Sequence, residues 1–231
     1  MSIPSYQPAR YPVKIHPVRE VRLIGRADLR YWQRALEGEA LTPVAADDQA
    51  VAMVTASASR WWGQAFCECT VSVAIASPDD PTTLRAQYLV QAFNSLAAFA
   101  WVERTLFRTP YAHGIVELDP TPPCRLSLAQ NGRVVFEARM RQAPTDAASV
   151  DDVWEGPIQL PGSPARHFMA RLEGTLHAYP FRVGADEIHI APAPDESIFR
   201  RLSDSGFVGR QWLTGVAGTH ARSETRGGRS A

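Results

Sequence analysis

Apolar and polar residues alternate along most of the chain, in short runs that are typical of half-buried β-strands. Two of these runs flank Asn131-Gly132, a residue pair that strongly indicates a two-residue hairpin turn. The clearest runs are EVRLIGR, VAMVTASA, QAFCECTVSVAI, CRLSLAQ, RVVFEARM, ARLEGTLHAYPFRV and DEIHIAPA. Few segments repeat at helical spacing. The pattern therefore predicts a mainly antiparallel β architecture, closed or double-layered, with helices on one side.

The middle of the chain, residues 88–118, combines a strand, a helix and a second strand with little connecting chain. The apolar residues at helical spacing are Ala92, Leu96, Phe99, Val102 and Leu106. With Asn94 as a cap, they predict a helix over about residues 95–107, which a proline then ends. Beyond the proline, Tyr111 and His113 share one face, because alternate residues of a strand point the same way. Two polar rings are thus expected to face the same space.

The strand QAFCECTVSVAI predicts one core face and one face that lines a cavity. Its core face carries Cys67, Cys69, Val71, Val73 and Ile75. Glu68 lies on the other face between Phe66 and Thr70, and aromatic and hydroxyl neighbours indicate a lined cavity for its carboxylate. The Cys-x-Cys pair could ligate a metal or form a redox pair, but no second Cys or His pair completes a ligand set. Small buried cysteines are the better interpretation, and we expect no metal.

Two further short helices are predicted, each after a capping aspartate. ADLRYWQRAL follows Asp28 and ESIFRRLSD follows Asp195, while GFVGRQWLTGVA is predicted as the last strand. Residues 143–165 are rich in Pro, Gly, Asp and Ser, and they predict a loop with one inserted strand around VWEGPIQL.

The composition predicts one domain with extended ends. Four prolines favour an extended arm over residues 1–18, and small polar residues favour a disordered tail over residues 218–231. Between them, residues 19–217 are predicted to form a single domain, because 231 residues at 45% hydrophobic content can bury one large core.

Charge and cysteine content restrict the partners and the compartment. Lysine plus arginine number 24 and aspartate plus glutamate number 24, so no global field attracts nucleic acid or an anionic membrane. Three cysteines and no signal-like apolar segment indicate a reducing cytoplasm. No apolar run reaches membrane-spanning length. No phosphate-cradling Gly-rich loop is present, so a nucleotide cofactor is not expected.

These features resemble the acetoacetate decarboxylase-like superfamily, over about residues 19–216. Its members place an arginine near the end of such a helix, followed by a proline and a pair of lysines on the next strand. Here Arg104 and Pro110 match. The lysine pair does not match, because Tyr111 stands at the position of the Schiff-base lysine and Ala112 at that of its neighbour.

Two more positions carry the resemblance. Arg26 falls at a strand-to-helix corner where the superfamily has an arginine that faces the substrate, although a surface arginine on an edge strand is the alternative. Glu68 matches an acidic active-site residue of the superfamily. The resemblance implies an α+β fold that is mainly antiparallel β, namely a cone-shaped β-barrel with a few flanking helices. It also implies a homo-oligomer, most simply a dimer.

The residue types at the matched site determine which chemistry the resemblance permits. Decarboxylases of the superfamily attack a β-keto acid with a lysine amine, whose pKa is lowered by burial and a second cation. The only lysine here is Lys14, within the proline-rich arm, so a covalent imine is not expected. The resemblance implies instead that Glu68 moves a proton, that Tyr111 and His113 stabilise an enolate oxygen, and that Arg26 or Arg104 holds a carboxylate or carbonyl oxygen.

We therefore expect a lysine-independent enzyme that acts on an enolisable keto compound or keto acid. The reaction would be an isomerisation, a dehydration, a cyclisation or a decarboxylation without a Schiff base, and secondary metabolite biosynthesis is one setting for it. The expected partner is a small keto or carboxylate ligand, and no cofactor is expected. Two alternatives stay open: a non-catalytic small-molecule-binding protein on the same fold, and a structural domain that only forms oligomers.

Overall fold

The computed structural model of the protein describes residues 10–144, 147–162, 165–192 and 197–227. In these ranges the chain forms three α-helices: α1 (Leu29–Leu36), α2 (Ala97–Thr105) and α3 (Ile198–Asp204). The first strands are β1 (Val13–Asp28), β2 (Ala45–Ala46), β3 (Gln49–Trp61), β4 (Gln64–Ser77), β5 (Asp80–Asn94), β6 (Tyr111–His113) and β7 (Ile115–Asp119). The remaining strands are β8 (Arg125–Gln130), β9 (Arg133–Arg139), β10 (Ala148–Leu160), β11 (Arg166–Pro180), β12 (Glu187–Ile190), β13 (Val208–Arg222) and β14 (Arg226–Gly227).

Seven long strands close into a barrel. They follow the order β1-β13-β11-β10-β5-β4-β3, and β3 pairs again with β1 to close the ring. Neighbouring strands are antiparallel except at the short contact between β5 and β10, and β6 adds to β5 in parallel. The predicted mainly antiparallel barrel with a few helices is confirmed.

A second sheet of four strands, β12-β9-β8-β7, covers part of the outer wall of the barrel. The main core lies between this sheet, the helices and the outward-facing side chains of β1, β3 and β4. Members of this core include Val21, Leu23, Val54, Val71, Leu126, Leu128, Phe136, Trp32 and Phe199. Because the apolar faces of β1, β3 and β4 point outward, their polar faces point into the barrel.

Several local predictions hold. Asn131 and Gly132, both with positive φ, form the turn between β8 and β9. The backbone N–H of Tyr31 donates to the side chain of Asp28, which therefore caps α1. The helix expected over residues 95–107 is shorter and spans Ala97–Thr105.

Three segments differ from the sequence-based expectation. Strand β1 begins at Val13, inside the expected arm, and β10 is a 13-residue strand in the region expected to be mostly loop. Strand β13 continues past Gly218 to Arg222, so those residues are not a disordered tail. Each segment is ordered by backbone hydrogen bonds to neighbouring strands, and such pairing needs no apolar side chain. The predicted cap Asp195 lies outside the described residues. In the structure Ser197 caps α3, because its side chain accepts from the backbone N–H of Phe199.

None of the helices in the described ranges is both long enough and apolar enough to cross a membrane.

Candidate active site in the barrel interior

The register of the barrel strands aligns polar residues across its inner wall. One row runs through Glu20 of β1, Ser57 of β3, Glu68 of β4, Asn94 of β5 and His113 of β6. Residues that pair directly across a sheet point to the same face, so these side chains share one surface. The adjacent row on that face consists of Arg22, Thr55, Thr70, Ala92 and Tyr111. The sheet therefore brings together residues that lie far apart in the sequence.

Glu68 is held at the centre of this surface by two neighbours. Asn94 Nδ2 donates to Glu68 Oε1 over 2.9 Å, while Asn94 Oδ1 accepts from the backbone N–H of Leu96 over 2.8 Å. The second bond fixes the amide so that its NH₂ group faces the carboxylate. The hydroxyl of Tyr111 faces Glu68 and helps to lower the pKa of its carboxyl. Both Glu68 and Tyr111 are partly buried.

A charge pair lies beside Glu68 and Tyr111. Arg222 Nη1 on β13 approaches both carboxylate oxygens of Glu103 on α2, at 2.7 and 2.8 Å. The hydroxyl of Thr109 donates to Glu103 Oε2 over 2.9 Å. The guanidinium of Arg222 also stacks on the ring of Phe168, 4.2 Å from its centroid. Helix α2 is thereby tied to the last barrel strand next to the candidate site.

The surroundings change the ionisation of both central groups. Burial, and then the negative charge of Glu103, raise the pKa of the Glu68 carboxyl above its ordinary value, although Asn94 and Tyr111 stabilise the ionised form. Burial and the charge of Glu68 raise the pKa of Tyr111 well above its ordinary value. Glu68 is therefore easier to protonate than a surface glutamate, and Tyr111 stays a neutral hydrogen-bond donor at every working pH.

A second polar cluster lies in the same interior, at the end of the row that carries Glu20. Arg22 Nε lies 2.8 Å from Glu20 Oε2, and Arg22 Nη2 lies 2.8 Å from Asp152 Oδ2 on β10. His220 Nε2 on β13 lies 3.5 Å from Glu20 Oε2, an ion-pair contact more than a short hydrogen bond. Burial alone would raise the pKa of Glu20, but His220 and Arg22 outweigh it and lower that pKa to about 2. Glu20 is thus a permanently charged group inside the barrel.

The structure brings together some of the predicted site residues and separates others. Glu68 and Tyr111 lie on the same face of the sheet, in adjacent rows. His113 continues the row of Glu68, but its side chain is exposed. Arg104 is exposed on α2, because its neighbour Glu103 occupies the inward position of the helix. Arg26 shares a face of β1 with Glu20 but lies six residues further along, about 20 Å from the row of Glu68.

The residues that sequence reasoning missed are Glu20, Arg22, Glu103, Asp152, His220 and Arg222. The alternation in EVRLIGR did indicate that Glu20, Arg22 and Arg26 share a face, but not which of them faces Glu68. Asp152 lay in the expected loop, and His220 and Arg222 lay in the expected tail. No local pattern could have revealed these three, because their place in the site depends on pairing between distant strands.

The only lysine lies outside this site. Lys14 pairs in register with Ala221, so its side chain points to the outer wall, opposite to the neighbouring Arg222. There it lines a cavity of about 310 Å³ together with Arg171, and a second cavity of about 370 Å³ lies beside α1. Neither cavity includes Glu68. The perturbed ionisation of the interior groups, more than the size of a surface hollow, identifies the candidate site.

The three cysteines differ in their burial. Cys69 and Cys124 are fully buried, and Cys67 is partly buried. Within the described part of the chain, no group of three or more His, Cys, Asp or Glu residues is arranged to hold a metal ion.

Solved structures share this architecture. An acetoacetate decarboxylase-like enzyme from Sphingomonas wittichii RW1 superposes with a TM-score of 0.61 at 16% identity, over 94% of this chain and 92% of that one. An acetoacetate decarboxylase gives a TM-score of 0.62 at 13% identity, over 94% of this chain and 90% of that one. The chain has the acetoacetate decarboxylase-like fold. At identities of 13–16%, the likeness to these proteins is one of fold.

A third protein with the acetoacetate decarboxylase-like fold is the enduracididine biosynthesis enzyme MppR. Its structure, in complex with the condensation product of pyruvate and imidazole 4-carboxaldehyde, matches with a TM-score of 0.58 at 12% identity. The match covers 94% of this chain and 89% of that one. No protein-family model and no curated protein sequence matches the chain.

Proposed function

We propose that this protein is an enzyme that enolises a small keto compound or keto acid without forming a covalent imine. The observation that carries the proposal is the contact between Glu68 and Tyr111 inside the barrel, beside Asn94 and the Glu103–Arg222 pair. The named neighbours with this fold are enzymes, and one of them holds a product derived from pyruvate. The reaction that follows enolisation would be an isomerisation, a dehydration, a cyclisation or a decarboxylation.

Glu68 is proposed to move the proton. A carboxyl group whose pKa is raised is a stronger base when ionised and is protonated more readily, so it can accept a proton from the α-carbon and return it. Asn94 holds the carboxylate in one orientation, so that little reorganisation is needed when the proton moves.

Tyr111 is proposed to stabilise the oxygen of the enolate. Its raised pKa keeps the hydroxyl protonated, so it can donate to the negative charge that develops on the carbonyl oxygen. Tyr111 cannot form an imine, and Lys14 faces the outer wall. The proton transfer and the oxyanion stabilisation are therefore assigned to groups that stay non-covalent.

The test is the exchange of α-hydrogens for deuterium, followed by NMR, with a panel of keto acids and ketones in D₂O. We expect the wild-type protein to exchange at least one compound, and Glu68→Gln to bind that compound but exchange it about 10²–10⁴-fold more slowly. Tyr111→Phe should slow exchange by about 10²–10³-fold. Glu117→Gln, which removes a carboxylate from an exposed position, should exchange as the wild type does.

Two results would contradict the proposal in different ways. If compounds bind but none exchanges, the protein is a non-catalytic binder on the same fold. If borohydride reduction in the presence of substrate adds the mass of a reduced imine at Lys14, and Lys14→Ala loses turnover, then the reaction depends on lysine after all.

A further inference from the structure

Glu103 and Arg222 lie one contact away from the two groups to which we assign the chemistry. We propose that Glu103 and Arg222 form a positioning pair, which holds Tyr111 against Glu68 and balances the charge beside them. The role of the pair in turnover rests on the function proposed above, whereas its electrostatic action on Glu68 does not. The resemblance in sequence points to neither residue, because on α2 it matches Arg104 to the superfamily arginine.

A chain of hydrogen bonds leads from Glu103 to Tyr111. The hydroxyl of Thr109 donates to the backbone carbonyl of Glu103 over 2.8 Å and to its Oε2 over 2.9 Å, and the backbone N–H of Thr109 donates to the same carbonyl. The carbonyl of Thr109 in turn accepts from the backbone N–H of Tyr111 over 2.8 Å. Glu103 thus fixes the short turn between α2 and β6 from which the Tyr111 ring projects.

Arg222 is itself immobilised on several sides. Its guanidinium lies between the rings of Phe168 and Phe107, 4.2 and 5.3 Å from their centroids, and Nη2 donates to the hydroxyl of Thr225 over 3.2 Å. Its backbone pairs with Val13 of β1 and with Ala170 of β11. A cation held in this way can keep the carboxylate of Glu103 in one place, because Nη1 lies within hydrogen-bonding distance of both carboxylate oxygens.

The two charges act on Glu68 in opposite directions. The carboxylate of Glu103 disfavours a second negative charge and raises the pKa of Glu68, whereas the guanidinium of Arg222 favours that charge and lowers it. Glu103 has the larger influence of the two, so the pair as a whole raises the pKa of Glu68. Removal of either member should therefore expose the full influence of the other.

The other groups that face Glu68 are few. Asn94 on β5 and Tyr111 on β6 both stabilise its ionised form, and Ser57 on β3 carries no charge. The charged Glu20 lies one strand further, about 10 Å away across the sheet. Glu103 and Arg222 are thus the charged side chains next to Glu68 among the described residues, and a change at either should dominate its titration.

The experiment measures the ionisation of Glu68 directly, by NMR of ¹³C-labelled glutamate carboxyls in the full chain, with the signal assigned by its loss in Glu68→Gln. Glu103→Gln keeps an oxygen for Thr109 but removes the charge, so we expect the pKa of Glu68 to fall by about one pH unit. Arg222→Met should raise it by a smaller amount, because Arg222 has the weaker influence. In the double variant the pKa of Glu68 should fall, but by less than in Glu103→Gln alone.

Matched controls separate this effect from general damage. Arg171→Met and Glu173→Gln break an exposed pair on the outer wall and should leave the titration of Glu68 unchanged. If Arg222→Met does not fold, Arg222→Lys keeps a positive charge on a single nitrogen and should preserve the wild-type titration. Where turnover is found, the pH at which exchange is half-maximal should move with the NMR titration in each variant.

Opposite shifts in the two single variants support the positioning pair, even if no keto compound is turned over, in which case only the proposed function fails. Shifts in the same direction, or no shift in either, would overturn the inference. A loss of exchange in Glu103→Gln with an unchanged titration of Glu68 would also overturn it.

Discussion

Removal of the Arg22 charge should destabilise the protein by far more than removal of a surface arginine. Arg22 is 6% exposed and its partner Glu20 is 2% exposed, and the structure places them within hydrogen-bonding distance of each other. In Arg22→Met, Glu20 and Asp152 keep their carboxylates inside the barrel but lose the cation between them. A buried charge left without its partner typically costs about 3–5 kcal/mol of the free energy of unfolding.

The pKa of Glu20 gives an independent value for the free energy that this cluster contributes. Its pKa of about 2 in the folded protein, against an ordinary value of about 4.3, corresponds to about 3 kcal/mol of stabilisation of the charged form. Because the folded pKa is the lower one, this stabilisation is complete above about pH 5 and is lost as the pH falls towards about 2. Arg22→Met should remove part of it, since His220 is then left to oppose the cost of burial.

Urea unfolding at neutral pH, followed by tryptophan fluorescence, measures this difference. Arg171→Met is the matched control, because Arg171 is about half exposed and its ion pairs should contribute at most about 1 kcal/mol. Glu20→Gln/Arg22→Met, which removes both charges, should cost less than Arg22→Met alone. The difference between wild type and Arg22→Met should shrink as the pH falls below about 4. A cost for Arg22→Met no larger than that of the control would refute the assignment of a charged cluster inside the barrel.

Three further outcomes are expected. Gly25→Ala should lower the free energy of unfolding in urea by about 1–3 kcal/mol. The new methyl group would overlap the ring of Phe207 and lie 2.6 Å from a backbone oxygen of β13. An unchanged free energy of unfolding would mean that this contact is looser. A thiol reagent should label Cys67 in the native protein but not Cys69 or Cys124, because burial raises the pKa values of these two thiols to about 12. Equal labelling of all three cysteines would contradict the assigned burial. Light scattering at micromolar concentration should show an oligomer, most simply a dimer, and a monomer would remove that expectation.

Local patterns in the sequence determined the parts of the fold that depend on neighbouring residues. The alternation around Glu68 assigned its strand to one polar and one apolar face, and the apolar face is buried in the main core. The Asn131-Gly132 turn and the Asp28 cap form because a few adjacent residues satisfy their own backbone geometry. The resemblance predicted that Glu68 and Tyr111 lie close together, and strand alternation predicted the face of the strand on which each side chain lies.

Only the tertiary structure decided which charged residues surround that pair. Arg22 and Arg26 lie on the same face of β1, so alternation does not distinguish them. The register between β1 and β3 places Arg22 near the row of Glu68 and Arg26 about 20 Å from it. On α2, a rotation of about 100° between successive residues decides that Glu103 faces inward while Arg104 faces solvent. Arg222 joins the site because closure of the barrel lays β13 against β1 and β11. Contacts of this kind join residues more than a hundred positions apart, so no local pattern in the sequence specifies them.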